Sequence, residues 1–174
     1  MASLRNDEVK IVGNSEFAAS PITVLLVDDH ASVRKSLWYL LEATSDIKVV
    51  AMASNGMDAL DDANGHLPDI AIVDISMPLM DGIETARLLH ARSPNTRILM
   101  LSIYDNPEYI LRALKVGAYG YILKDMIGED LIAGIRAVYS GNTYFSAQVA
   151  ETAKQYILQK KDDSSASSTV EDTL

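Results

Sequence analysis

The chain has 174 residues, no cysteine, and 15 lysines and arginines against 24 acids, for a net charge of −9. Disulfide frameworks and thiolate chemistry are thereby excluded, and direct nucleic-acid binding is disfavoured, because backbone phosphates are held by clustered Lys and Arg. The length suits one ordinary domain with appendages, and neither a signal-peptide apolar run nor a stretch of transmembrane length is present, so a soluble, cytoplasmic protein without membrane contact is expected.

Residues 1–20 scatter charges and read as a flexible extension. The first strand is expected over Ile22–Val27 and is followed by helical spacing at Val33, Leu37, Leu40 and Leu41. Further strands are expected over Ile47–Ala53, Asp69–Val73, Arg97–Leu101 and Gly120–Leu123. Helical spacing recurs at Ile83, Ala86, Leu88 and Leu89, at Ile110, Leu111 and Leu114, and at Leu131, Ile135 and Val138 within Glu129–Tyr139. The stretch "SGN", Ser140 to Asn142, ends that last helix. One more amphipathic helix follows, with Ser146 as its N-cap, and the Ser-rich acidic residues 161–174 read as a disordered linker or tail.

Strict strand–helix alternation predicts a doubly wound α/β domain with a five-stranded parallel sheet over 21–140, extended by a linker helix over 141–160. The strands are near-continuous apolar runs because helices cover both faces. Ligands of such sheets bind outside the carboxyl ends of the strands. Asp28 and Asp29 follow the first strand there, Asp74 follows the third, Ser102 the fourth and Lys124 the fifth. Like charges about 4 Å apart repel by about 4 kcal/mol at an effective dielectric of 20, so a cation belongs among the acids, and oxygen-loving Mg²⁺ is the natural one. Acids, a hydroxyl and an ammonium on one sheet edge suit phosphoryl transfer to a carboxylate.

The stretches "VLLVDDH", "DIAIVDISMPLMDGIE", "ILMLSIYDN" and "GAYGYILKD", in this order and at these spacings, resemble the receiver domain of two-component response regulators over Ile22 to about Tyr139. The resemblance implies a flavodoxin-like fold and a signalling switch, not an enzyme acting on outside substrates. It implies phosphorylation of Asp74 by a sensor histidine kinase or a small phosphodonor, and Mg²⁺ held by Asp28, Asp29, Asp74 and the Ser76 backbone carbonyl. Lys124 would pair with the phosphoryl oxygens, Ser102 would swing to hydrogen-bond one of them, and Tyr121 would move inward in response. His30 is expected to open a helix, and Trp38, Met77, Met80 and Met100 to pack. Where many receivers have proline after the lysine this chain has Asp125, and Ile103 is bulkier than the usual alanine, which would slow water's access to the phosphate.

The segment "LIAGIRAVYSGNTYFSAQVAETA" is similar to the end of receivers in the NarL/FixJ (LuxR-type) subfamily, whose members continue into a helix-turn-helix domain. That implies a transcription output through a DNA-binding domain not present in this chain. Helices such as Val33–Leu41 and Ser146–Gln159 carry apolar residues that one sheet does not fully cover, so self-association as a homodimer is expected. The alternative is a stand-alone receiver acting on protein partners. A hydrolase using an aspartyl-phosphate would need a second acid two residues after Asp74, where Ser76 stands. A nucleotide fold would need a glycine-rich phosphate loop after the first strand, which the sequence lacks, and a degenerate receiver would not keep the acid, hydroxyl and lysine together.

Overall fold

The computed structural model describes residues 20–155. The expected N-terminal extension up to residue 19, the end of the linker helix and the acidic tail lie outside the described residues. In chain order the elements are β1 (Ile22–Val27), α1 (Ala31–Glu42), β2 (Ile47–Ala53), α2 (Gly56–His66), β3 (Ile70–Asp74), α3 (Gly82–Arg92), β4 (Arg97–Ser102), α4 (Pro107–Lys115), β5 (Gly120–Leu123), α5 (Ile127–Tyr139) and β6 (Tyr144–Phe145). A last helix, α6, begins at 147 and runs through 155.

The sheet order is β2-β1-β3-β4-β5-β6, and every pairing is parallel. The crossovers reverse direction between β1 and β3, which opens a crevice at the carboxyl ends of those two strands. Within the continuous apolar runs the pleat still sorts alternate side chains to opposite faces. Leu25, Val27, Ala71, Val73, Met100 and Tyr121 pack beneath α2, α3 and α4, whereas Val24, Leu26, Ile70, Ile72, Leu99 and Ile122 pack beneath α1 and α5. Each such aliphatic side chain removed from water contributes about 1.5–3 kcal/mol.

Several details differ from the sequence expectation: β4 runs one residue further, to Ser102, and α5 starts at Ile127 where Glu129 is expected. β3 is shifted by one residue, running Ile70–Asp74, because the Asp69 carboxylate is taken by β1: Thr23 donates to its Oδ2 through N–H (2.8 Å) and hydroxyl (2.7 Å). A sixth strand adds to the five expected. It is only two residues long, too short to leave a periodicity in the sequence, and it lies against β5 where Gly120 makes room: a Cβ there would stand 2.5 Å from the Tyr144 carbonyl oxygen. Ser146 does occupy the turn into α6, its carbonyl accepting from the Ala150 N–H at 3.0 Å, but its buried hydroxyl has no partner among the described residues and so does not cap the helix. Of the expected packing residues, Met77 and Met100 are buried and Trp38 and Met80 half-buried. The described residues contain no cis peptide bond, so Lys124–Asp125 is trans.

Candidate functional site

β1 and β3 deliver Asp28 and Asp74 side by side, each 1% exposed. The strand ends alone would leave these carboxylates in mutual repulsion. Lys124, leaving the end of β5 in a short 3₁₀ turn (Lys124–Met126), reaches back across the crevice and places Nζ 2.8 Å from Asp28 Oδ2 and 3.2 Å from Asp74 Oδ1. Burial pulls the Lys124 ammonium down, but the hydrogen bond to Asp28 and the charges of Asp74 and Asp28 outweigh it, so its pKa is raised. For Asp74 burial dominates, and with the charge of Asp28 it holds the carboxyl above the usual carboxylate range despite Lys124.

The remaining carboxylate oxygens are less well served. Asp74 Oδ2 is buried with no hydrogen-bond partner among the described residues, and buried Asp29 Oδ1 has only the His30 ring near it, Nδ1 at 3.0 Å. Single ligand atoms of Asp28, Asp29, His30 and Asp74 all lie within 4.8 Å of one another. Unpaired buried carboxylate oxygen is costly, and one ammonium does not neutralise three acids, so the carboxylates of Asp28, Asp29 and Asp74 fit a hard divalent cation such as Mg²⁺. From Ser76 the pocket receives a backbone N–H, 3.3 Å from Asp74 Oδ1. The loop is held tight by Gly82, whose N–H donates to the Ile75 carbonyl at 2.9 Å.

A second set of residues links the sheet edge to α6. Ser102, fully buried at the end of β4, accepts a hydrogen bond from the Tyr104 N–H at 2.9 Å. Tyr121 in turn donates its hydroxyl to the Tyr104 carbonyl at 2.6 Å. Burial pushes the Tyr121 hydroxyl up to about 12, with Ser102 beside it acting in the opposite direction. The expectation from resemblance has this aromatic moving inward; in the structure it is already inward, 1% exposed. The loop also supplies Asp105, whose Oδ2 accepts from Gln148 Nε2 of α6 at 2.7 Å. Val149 of α6 is fully buried in the same cluster as Tyr121, Leu123 and Ala113. Ile103 is 67% exposed at the rim of this region.

The structure thus brings Asp28, Asp29, Asp74 and Lys124 into one pocket, puts Ser76 on its loop, and puts Ser102 and Tyr121 in a neighbouring chain of contacts. Two residues were missed as site residues. His30 directs Nδ1 to within 3.0 Å of Asp29 Oδ1 and 3.3 Å of Asp28 Oδ1, and the only signal for it was its place after the acid doublet. Gly82 had no signal beyond its place in "MDGIE".

Comparison with known proteins gives a consistent answer. The family model described as response regulator receiver domain matches residues 24–136. The oxygen regulatory protein NreC of Staphylococcus epidermidis is 36% identical over 147 residues, which are 83% of this chain and 67% of that protein. The nitrate/nitrite response regulator protein NarL of Escherichia coli is 39% identical over 126 residues, covering 72% of this chain and 58% of the relative. Among solved structures, a LuxR-family two-component response regulator from Aurantimonas superposes with a TM-score of 0.77 at 29% identity, over 80% of this chain and 99% of that one. The signal receiver domain of a NarL regulator from Mycobacterium tuberculosis gives a TM-score of 0.68 at 32% identity, over 71% and 99% of the two chains.

Proposed function

The chain belongs to the response regulator receiver domain family of two-component systems, and from that premise we propose that it is a phosphorylation-dependent switch in which Asp74 accepts a phosphoryl group from a sensor histidine kinase. The observation that carries this reading is the Asp74 carboxylate itself: buried at a strand end, tied through Oδ1 to Lys124, and left with Oδ2 unpartnered. In the proposed step an Asp74 oxygen forms a bond to phosphorus as the bond from phosphorus to the donor breaks. Lys124 then stabilises the charge spread over the phosphoryl oxygens. Asp28, Asp29, Asp74 and the Ser76 carbonyl would hold Mg²⁺, which when bound supplies further neutralisation of that charge. Ser76 stands where aspartyl-phosphate hydrolases place their second acid, which supports a switch over turnover of an outside phosphoester.

Phosphorylation replaces the single negative charge of the Asp74 carboxylate with an acyl phosphate of about −1.5 to −2, a net gain of up to about one negative charge, and adds phosphoryl acceptor oxygens at the sheet edge. We infer that Ser102 rotates toward the new phosphoryl oxygens and gives up the Tyr104 N–H. Tyr104 is also the acceptor for Tyr121, and its neighbour Asp105 holds Gln148, so the loop, the aromatic and α6 respond together. To invert a 99:1 population the differential stabilisation must reach about 5.5 kcal/mol. The direct test is incubation with a small phosphodonor and Mg²⁺, read by intact mass: a gain of one phosphoryl group is expected, and no gain overturns the reading. Ser102→Ala is expected to take up the phosphoryl group yet lose most of the change in amide exchange over residues 103–125 and 144–155. A variant that responds like the parent would remove Ser102 from the relay.

Output is proposed to pass through a helix-turn-helix domain outside this chain, with a homodimer as the active form. Of the two helices expected to mediate self-association, α6 has its Val149 fully covered by the core, whereas α1 keeps Tyr39 59% exposed beside half-buried Trp38 and Leu40. The exposed face of α1 supports it as a dimer surface, while residues 156–159 of the second expected helix lie outside the described residues. At a net charge of −9 this chain is expected not to bind random duplex DNA at low salt. Fluorescence anisotropy checks the second point, and micromolar binding would contradict it; sedimentation showing monomer with and without phosphodonor would contradict the dimer. Among the described residues no helix is long and apolar enough to cross a membrane.

A further inference from the structure

We propose that His30 is a nitrogen donor of the acidic pocket and makes it select a borderline first-row transition ion over Mg²⁺, an inference that rests on the metal-pocket reading above. His30 stands at the N-cap position of α1, where a side chain ordinarily accepts a hydrogen bond from the first turn, yet it makes no such bond. The ring is turned instead toward the acids. Its Nδ1 lies 3.0 Å from Asp29 Oδ1 and 3.3 Å from Asp28 Oδ1, and it belongs to the group of four ligand atoms within 4.8 Å of one another. One of the other members, Asp74, carries a buried oxygen without a partner among the described residues, Oδ2, which is what distinguishes this cluster from a solvated acidic patch.

The chemistry of the added donor sets the selectivity. Mg²⁺ takes oxygen ligands and retains its waters, so an imidazole nitrogen adds little to its binding. Imidazole suits the later first-row divalent ions, whose affinity for nitrogen-containing sites climbs along the series from Mn²⁺ towards Cu²⁺. A pocket of three carboxylates alone would discriminate weakly among these ions; the same pocket with His30 favours the transition ion. The side chain of His30 is 62% exposed and belongs to neither apolar cluster, so its removal leaves the core of the sheet intact.

The test uses Co²⁺ and Mg²⁺ as probes, titrated by calorimetry into the full chain, its His30→Ala variant and its Asp29→Ala variant, with the visible absorption of bound Co²⁺ recorded in parallel. His30→Ala is expected to lower Co²⁺ affinity by about tenfold or more, to alter the Co²⁺ absorption band, and to leave Mg²⁺ affinity unchanged. An equal fall for both ions, or no fall for either with an unchanged Co²⁺ band, overturns the proposal. Unchanged binding of both ions in Asp29→Ala overturns the metal-pocket reading itself, and the two failures are thereby distinguished.

Discussion

Asp74→Asn is expected to abolish uptake of the phosphoryl group and, at neutral pH, to yield a more stable protein than the parent. The first effect follows from removing the nucleophilic oxygen, since an amide cannot form the acyl phosphate. The second follows from the direction in which the fold moves the Asp74 carboxyl. Burial and the charge of Asp28 raise its pKa above the unfolded value, so the folded state holds that proton more tightly than the unfolded chain does. The associated stability is fully present below the unfolded pKa, near 4, and is lost as pH rises through the raised folded value. At pH 7 the native state therefore carries a desolvated charge that Lys124 offsets only in part. Asparagine removes the charge and keeps the shape, so the variant is expected to unfold at a higher temperature than the parent at pH 7. Thermal unfolding at pH 7 and at pH 4 reads this directly: the difference between variant and parent should shrink at the lower pH, and a variant less stable than the parent at pH 7 would contradict the argument. Adding Mg²⁺ at about a hundredfold excess over its Kd should stabilise the parent by about 2.7 kcal/mol, and Asp74→Asn by less.

Gly82→Ala is expected to be the most disruptive single methyl group in the region of the pocket. A Cβ at Gly82 would stand 2.0 Å from the Asp74 carbonyl oxygen and 2.7 Å from the Ile75 Cα, both backbone atoms that cannot rotate aside. Either α3 loses its seat on the end of β3 or the Asp74 backbone moves. Overpacking of this kind costs about 1–3 kcal/mol and at times more, and a displaced Asp74 would also take up phosphate more slowly, since alignment is much of the catalysis. Gly65→Ala supplies the contrast. It lies in α2 with nothing within 4 Å of its Cβ position, so the same substitution should stabilise by about 0.5–1 kcal/mol through helix propensity. Urea unfolding of both variants, with phosphodonor labelling, separates the cases. A Gly82→Ala protein as stable as Gly65→Ala would mean that the approach of α3 to Asp74 is looser than described.

Asp74 and Gly82 also mark how far the amino-acid sequence reaches. Strand runs such as Ile22–Val27 and Gly120–Leu123 were legible to the residue because a strand buried on both faces must be apolar throughout and stops where charge begins. The same stops identified Asp28, Asp29, Asp74, Ser102 and Lys124: parallel topology sends every strand's carboxyl end to one edge, so polar residues at those ends are neighbours before any distance is known. What the sequence by itself determined was therefore the parallel α/β layering and which residues share the pocket edge. Only the tertiary structure decided what those residues do to one another: that Lys124 bridges Asp28 and Asp74 and leaves Asp74 Oδ2 unpartnered, that His30 turns toward the acids instead of capping α1, that Gly82 presses on the Asp74 backbone, and that Tyr121, β6 and Val149 join α6 to the loop after β4. These contacts tie residues distant along the chain, or turn on a rotamer or a backbone approach of a few ångströms. Such choices are made by packing density and by the pairing of buried charge, neither of which has a period that a linear pattern can display.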